Sequence, residues 1–214
     1  MKKLNLFNYL LFFFVLIVIS GCDKTRANYA ISISENYEQF LKNRPTNFKM
    51  PIPNPDFAIT VSPTLDPLKI KNKIGTYFWY NETYDFVSKK KEISLEVDQI
   101  ISNFLMKKGY WKEKGKWKTN KDSLKNLRTP YALAITIKKL NFHGEEDIPY
   151  DIINGTVYLE LSLGIKKKKR IQKVNIESKL QIQGDHPVPH IADRIKTVIR
   201  QSVLEGLEKL FTKI

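Results

Sequence analysis

Cys22 is the only cysteine in this 214-residue chain. A single cysteine excludes an internal disulfide, so an apolar core must hold any fold that this sequence adopts. Hydrophobic residues make up 42% of the sequence, which is sufficient for a packed core. Hydrophobic periodicity, rather than a cysteine framework, therefore specifies the fold.

The segment before Cys22 has the order of a secretory signal. Lys2 and Lys3 give it a positive start, and ten consecutive apolar residues, 10–19, precede the small residues Ser20 and Gly21. An apolar run of this length is shorter than the roughly 20 residues that span a bilayer. The alternative explanation is an uncleaved anchor helix with an incidental cysteine.

The block Ile19-Ser20-Gly21-Cys22 resembles the lipobox of bacterial lipoproteins. The resemblance implies that Cys22 carries acyl chains such as palmitate and becomes the first residue of the mature protein. It implies a bacterial cell-envelope protein, anchored in a membrane by its lipid and facing the periplasm. Asp23 favours the inner over the outer membrane, because enteric lipoproteins with aspartate after the lipidated cysteine tend to stay there.

Composition divides the chain into three parts. Residues 1–21 are predicted to be a lipoprotein signal peptide and residues 22–56 a tether. Pro45, Pro51, Pro53 and Pro55 favour extended chain in that tether and forbid a continuous helix. Residues 57–214 are predicted to form a single α+β domain.

Two segments of this domain have helical periodicity. Residues 94–108 carry an apolar stripe that includes Val97, Ile101 and Phe104, with Ser94 as the predicted N-cap. A second stripe runs from about residue 191 to 212, after two prolines that break the chain.

Other segments alternate with the period of a half-buried strand. Residues 57–61 form a first candidate strand, and the aromatic segments 75–80 and 84–87 form a candidate hairpin around Asn81 and Glu82. Three longer alternating segments, 131–140, 156–165 and 174–182, predict an antiparallel meander. The predicted fold class is α+β, a mostly antiparallel sheet with two helices packed on one face.

In this layout the chain resembles the YajG-like bacterial lipoproteins. The matching features are the block at Cys22, the strand Ala58-Ile59-Thr60-Val61-Ser62-Pro63 and the helix end Lys107-Lys108-Gly109-Tyr110. The segment 132–182 and the final helix match in order. More loosely, the order of elements is similar to auxiliary lipoproteins of envelope ABC transporters. The resemblance implies an accessory protein that faces the periplasm, and it carries over no catalytic residue.

The formal net charge is +14, and it is +12 once Lys2 and Lys3 leave with the signal peptide (14 minus 2). A strongly basic chain favours polyanionic partners, and for an exported protein these are anionic lipids or envelope polymers rather than nucleic acid. The sharpest charge feature is a candidate contact for an anionic surface: Lys166, Lys167, Lys168, Lys169 and Arg170. The alternative is a solvated hairpin tip that discourages edge pairing.

Aromatic residues concentrate around the predicted hairpin. Trp79 and Tyr80 are candidates for stacking on a ligand, because exposed aromatic rings bind sugars and lipid interfaces. The alternative is packing between neighbouring strands.

The three histidines offer little chemistry. His143 lies near Glu145, Glu146 and Asp147, but charged residues between two strands are ordinary in turns. His186 and His190 have Pro187 and Pro189 nearby, which spoil a helical metal site. We therefore predict no metal, no cofactor and no catalytic residue.

The sequence supports two hypotheses for function. The first is a non-enzymatic, lipid-anchored accessory or docking subunit of a membrane complex, with the membrane and an envelope protein as partners. The second is a periplasmic carrier or sensor that binds an amphipathic ligand or an anionic envelope polymer.

Overall fold

The computed structural model describes residues 25–34, 54–68, 72–79, 82–145, 152–184 and 186–212. These residues form eight strands and three α-helices, with a 3-10 turn at Pro55–Phe57. The strands are β1 (Thr25–Ile31), β2 (Ala58–Val61), β3 (Lys73–Trp79), β4 (Glu82–Ser88), β5 (Trp111–Lys114), β6 (Tyr131–Glu145), β7 (Ile152–Ile165) and β8 (Arg170–Gln183). The helices are α1 (Ile93–Lys107), α2 (Lys121–Lys125) and α3 (Val188–Phe211).

Strand β6 is the centre of a single sheet. Along one edge it pairs with β7 over its whole length, and β8 follows β7. Its other edge is shared, because β2 pairs with the start of β6 and β3 with its end. Strand β5 extends the sheet beyond β2, while β4 and then β1 extend it beyond β3.

The predicted antiparallel meander is confirmed in β6, β7 and β8. The β3–β4 hairpin is also antiparallel, as its aromatic pattern predicted. The expectation of a mostly antiparallel sheet needs correction, because β1–β4, β2–β5, β2–β6 and β3–β6 are parallel pairs. Alternation marks a half-buried strand without revealing the direction of its neighbour, and parallel partners need long crossovers that leave no local turn signal.

Helices α1 and α3 pack against each other, and α3 also lies on β7 and β8. The predicted stripe on residues 94–108 is confirmed, with Val97, Ile101 and Leu105 buried in the main core. Helix α3 buries Ile195 and Leu207 in the same core. At about 25 cal/mol per Å² of apolar surface, each such side chain stabilises the fold by roughly 1.5–3 kcal/mol.

The first turn of α1 contains the most deeply buried charged side chain of the described residues. Glu96 is inaccessible to solvent, and it accepts hydrogen bonds from the Ser34 N–H at 2.9 Å and the Ser88 hydroxyl at 3.2 Å. It thereby ties the ends of β1 and β4 to α1. Ser94 is not the N-cap as predicted, because the helix begins after Glu92 with no side-chain cap.

Part of the predicted tether belongs to the sheet. Residues 25–31 of the 22–56 segment form β1, which pairs in parallel with β4 from Thr25 opposite Glu82 to Ile31 opposite Ser88. Ile31 and Ile33 are buried in the main core. The prolines that suggested an extended tether come after this strand in the sequence, so they do not bear on the structure of residues 25–31.

Candidate functional site

Two basic segments of the chain meet at one end of the sheet. Residues 107–130 run from the end of α1 through β5 and α2, and residues 166–170 connect β7 to β8. The Lys166 N–H donates to the Pro130 carbonyl at 2.9 Å, and the Lys166 ammonium donates to the Leu127 carbonyl at 2.5 Å. We call residues 107–130 and 166–170 together the basic end.

The basic end rests on a second small core, on the face of the sheet opposite α1 and α3. Trp117 and Leu124 pack there against Ala132 and Ala134 of β6. Gly164 of β7 permits this approach, because a Cβ at that position would lie 2.7 Å from a Leu124 methyl group. The lysines around this core are therefore attached to ordered structure.

The charge of the protein is concentrated in the basic end. Its two segments contain fourteen Lys and Arg residues and two acidic residues, a formal charge of +12 (14 minus 2). The whole chain carries +14, of which Lys2 and Lys3 contribute two. The rest of the chain beyond residue 21 is therefore formally neutral (12 minus 12).

Most of these cations face solvent. The exposed ones are Lys107, Lys108, Lys114, Lys116, Lys118, Lys121, Lys125, Arg128, Lys167, Lys168, Lys169 and Arg170. Lys112 instead donates to the Ser102 hydroxyl at 2.6 Å, and burial lowers the pKa of its ammonium against the opposing effect of Asp98. Lys108 pairs with Glu208 of α3 at 3.2 Å, which offsets one of these charges.

A shallow cavity borders the basic end beside β5. It has a volume of about 160 Å³ and is lined by Asn54, Pro55, Ala58, Trp111, Glu113, Arg128 and Thr129. Trp111 is 41% exposed, so part of its side chain is accessible to a ligand. An aromatic wall beside a guanidinium group is suited to a ligand with both an apolar face and a negative charge.

The opposite end of the sheet contains the start of β1. Thr25 pairs with Glu82, and Glu82 pairs with Trp79 across the hairpin. We call this end, together with Glu145 at the end of β6 and Ile152 at the start of β7, the β1 end. The 14 residues of β7 connect the two ends, which at about 3.3 Å per residue places them roughly 45 Å apart.

Of the two candidate stacking residues, Trp79 lies at the β1 end. Trp79 is half-buried, and its ring centroid is 6.5 Å from that of Tyr84 and tilted by 44°. This is the packing between neighbouring strands that was the alternative to ligand stacking. Tyr80 lies outside the described residues, and a ligand on Trp79 stays a prediction.

A buried carboxylate lies between three strands on the outer face of the sheet. Asp85 of β4 accepts hydrogen bonds from Arg26 of β1 at 2.6 and 2.7 Å and from Thr76 of β3 at 3.1 Å. It also pairs with Lys73 at 3.0 Å. Burial by itself raises the pKa of Asp85, but the hydrogen bonds from Lys73, Arg26 and Thr76 outweigh it and lower the pKa.

A cleft of about 380 Å³ opens above this group, lined by Arg26, Lys73, Thr76, Phe78, Thr83 and His143. His143 lies 2.7 Å from Glu145, and both side chains are exposed. Glu146 and Asp147, the other members of the predicted acidic group, lie outside the described residues. The cleft is open to solvent, and the buried carboxylate beneath it already pairs with two cations.

The other predicted site residues are spread over the molecule. The rings of His186 and His190 lie 4.8 Å apart at the start of α3. In the part of the chain that the structure describes, no three His, Cys, Asp or Glu side chains converge as a metal site requires. Cys22 lies outside the described residues.

Sequence reasoning missed two groupings. The Asp85 group draws on residues up to 59 positions apart, so no local pattern marks it. The basic residues of 107–130 are visible in the sequence, where Lys and Arg outnumber acidic residues nine to two, but only the Lys166–Arg170 run was singled out. Charge density in a window of about 25 residues would have found them.

No protein-family model matches this chain, and no curated protein matches it in sequence. Among solved structures, it is similar to XCC0632 from Xanthomonas campestris, described with the family DUF330. The TM-score is 0.52 at 11% identity, covering 87% of this chain and 96% of that protein. It is also similar to lipoprotein GNA1162 from Neisseria meningitidis, with a TM-score of 0.36 at 8% identity, covering 69% of this chain and 98% of that one. The first similarity shows a shared fold, and the second is too weak to add to it.

None of the described helices combines the length and the apolar character needed to cross a bilayer.

Proposed function

We propose that this protein is a bacterial envelope lipoprotein, anchored through Cys22, that works by binding as an accessory or docking subunit of a membrane complex. The lipobox-like block supports the anchor, and the layout of elements supports a place among YajG-like lipoproteins. The observation that carries the proposal is that β1 begins at Thr25, three residues after Cys22.

With Cys22 acylated, this short connection supports a placement of the β1 end at the membrane. An extended chain spans at most about 3.3–3.6 Å per residue, so three residues reach about 10 Å. Acyl chains on Cys22 therefore hold the β1 end within about 10 Å of the lipid headgroups. Most of the predicted tether follows β1 in the sequence. The few residues that precede β1 are too short to hold the domain away from the membrane.

The aromatic residues of the β1 end suit this position. Trp79 and Tyr84 are half-buried, and each has an apolar ring with a polar tip. Such rings are enriched at the boundary between lipid and water. The basic end then points away from the membrane, where it is available to other envelope components.

The anchor is tested by labelling cells with radioactive palmitate and determining the mass of the mature protein. We expect label on the native chain, no label on a Cys22→Ser variant and normal label on a Ser20→Ala control. A mature protein that retains residues 1–21 and has an unmodified thiol would refute the proposal.

The orientation is tested with the three tryptophans of the chain. Trp79 lies at the β1 end, whereas Trp111 and Trp117 lie at the basic end. In vesicles made with brominated lipids, we expect quenching of lipidated protein that carries Trp111→Phe and Trp117→Phe. A Trp79→Phe variant should resist quenching, and equal quenching of the two would contradict the orientation.

A further inference from the structure

We infer that the basic end is a receptor surface for an anionic polysaccharide of the cell envelope. Its placement away from the membrane rests on the proposed anchoring through Cys22, whereas its affinity for the polymer does not. The two properties can therefore fail separately.

The first reason is that the excess positive charge of the protein is concentrated in the basic end. Residues 107–130 and 166–170 together carry a formal +12, while the remainder of the chain after residue 21 sums to zero. Twelve of the fourteen cations are exposed. A field of one sign on one end of a protein attracts and orients a polyanion.

The second reason is that the surface is built before any ligand arrives. Lys166 is bonded to the backbone at Pro130 and Leu127, which joins the two segments. The Asn120 side chain caps α2 by accepting from the Ser123 N–H at 2.8 Å, and the Trp117 indole donates to the Asn120 carbonyl at 3.2 Å. A preorganised cationic surface loses little conformational entropy on binding.

The third reason concerns the chemistry of the ligand. The cavity beside β5 is lined by the exposed Trp111 and by Arg128, with Asn54 and Glu113 as further polar side chains. A sugar ring has an apolar face that stacks on indole, and its hydroxyl groups hydrogen-bond with amide and carboxylate side chains such as Asn54 and Glu113. A carboxylate or phosphate on the same sugar would pair with guanidinium.

Geometry also separates the basic end from the membrane that holds the protein. About 45 Å of sheet lies between it and the β1 end, and the connection to Cys22 reaches only about 10 Å. With the long axis of the sheet upright on the bilayer, the basic end lies about 45 Å from the headgroups, where a flexible polymer can reach it.

The test is a binding titration with polygalacturonate, a carboxylated polysaccharide, using the full chain in neutral detergent. The triple variant Lys116→Gln, Lys121→Gln, Lys167→Gln removes three exposed cations of the basic end. We expect it to bind at least tenfold more weakly than the native chain at low salt. The matched control removes three exposed lysines elsewhere, Lys89→Gln, Lys91→Gln and Lys139→Gln, and should lose less than twofold.

Further measurements separate the parts of the inference. Trp111→Ala should weaken binding several-fold without changing its dependence on salt, because stacking is not screened. Cys22→Ser should bind the polymer normally. Far-UV circular dichroism shows whether each variant is folded.

Three outcomes would overturn the inference. One is equal loss in the two triple variants, which would mean that only net charge matters. Another is stronger binding to vesicles containing anionic phosphatidylglycerol than to the polymer, which would make the surface a membrane contact. The last is absence of polymer binding by the native chain. If palmitate labelling fails but polymer binding follows the expected pattern, the anchor is refuted and the receptor surface stands.

Discussion

Replacing Asp85 with asparagine removes one negative charge from the group that attaches β1 to the rest of the sheet. The carboxylate accepts two bonds from Arg26, pairs with Lys73 and accepts from Thr76, all within 3.1 Å. Its side chain is only 8% exposed, whereas Arg26 and Lys73 are 63% and 47% exposed. The free energy lost therefore depends on two facts: the carboxylate acceptor is buried, whereas the two cations that pair with it are exposed to water.

Hydrogen bonds to a charged group contribute about 1.5–3 kcal/mol each when they are shielded from water. Pairs with exposed cations are screened, and they contribute roughly 0–1 kcal/mol. Two screened cations and the Thr76 hydroxyl together give an expected loss of about 2 kcal/mol for Asp85→Asn at pH 7. Hydrogen exchange in β1 should increase as well, because the Arg26 guanidinium group loses its negatively charged partner.

The pH dependence gives a sharper test, since its sign is fixed. The pKa of Asp85 is lower in the folded protein than in the unfolded chain. Its stabilisation is therefore present above the unfolded value of about 3.9 and is lost as the pH falls through the folded value. The difference between native protein and Asp85→Asn should be complete at pH 7 and should shrink at lower pH.

Urea unfolding followed by circular dichroism at pH 7 and pH 2.5 measures this difference. Asp122→Asn is a suitable control, because that side chain is 91% exposed and its loss should change the free energy of unfolding by less than about 0.5 kcal/mol. If the Asp85→Asn difference at pH 7 is below that level, or persists unchanged at pH 2.5, ionic attachment of β1 is not the cause.

Two further changes test the packing that fixes the ends of the sheet. Glu96→Ala removes the buried acceptor of Ser34 and Ser88, so we expect about 2–4 kcal/mol of destabilisation by urea unfolding; a loss below 1 kcal/mol would mean that these donors find other partners. Gly155→Ala places a Cβ 2.1 Å from a ring carbon of the buried Phe142, so we expect a loss of about 1–3 kcal/mol in thermal unfolding. Adding Phe142→Leu to Gly155→Ala should recover part of the lost stability, and full additivity of the two destabilisations would argue against the clash.

Much of the secondary structure was readable in the sequence because it depends on local periodicity. The stripe on 94–108 predicted α1, and the alternation in 131–140, 156–165 and 174–182 predicted the meander. Strand lengths were underestimated, since β6 and β7 extend through Asn141–Glu145 and Ile152–Gly155, where polar residues and glycine hide the pattern. Strand β1 was missed because a segment followed by prolines reads as linker.

The functional residues divide in the same way. The run at Lys166–Arg170 was visible in the sequence because its charges are contiguous. That segment 107–130 belongs to the same basic surface is known only from the fold, which brings the two segments together at one end of the sheet. The complete Asp85 group could not be predicted, because Arg26 belongs to β1, which becomes a neighbour of β4 only through parallel pairing. Lys73 belongs to the antiparallel hairpin partner β3, but a hairpin pattern does not indicate which cation reaches the carboxylate.

By itself the sequence determined the α+β class, the two packing helices, the meander and the excess of positive charge, since periodicity and composition need no knowledge of neighbours. The tertiary structure decided which strands run parallel, that the chain joins the sheet three residues after Cys22, and that nearly all the excess charge lies at the opposite end. These properties depend on which distant segments pair or meet in the folded protein, and a local window of sequence does not specify those contacts.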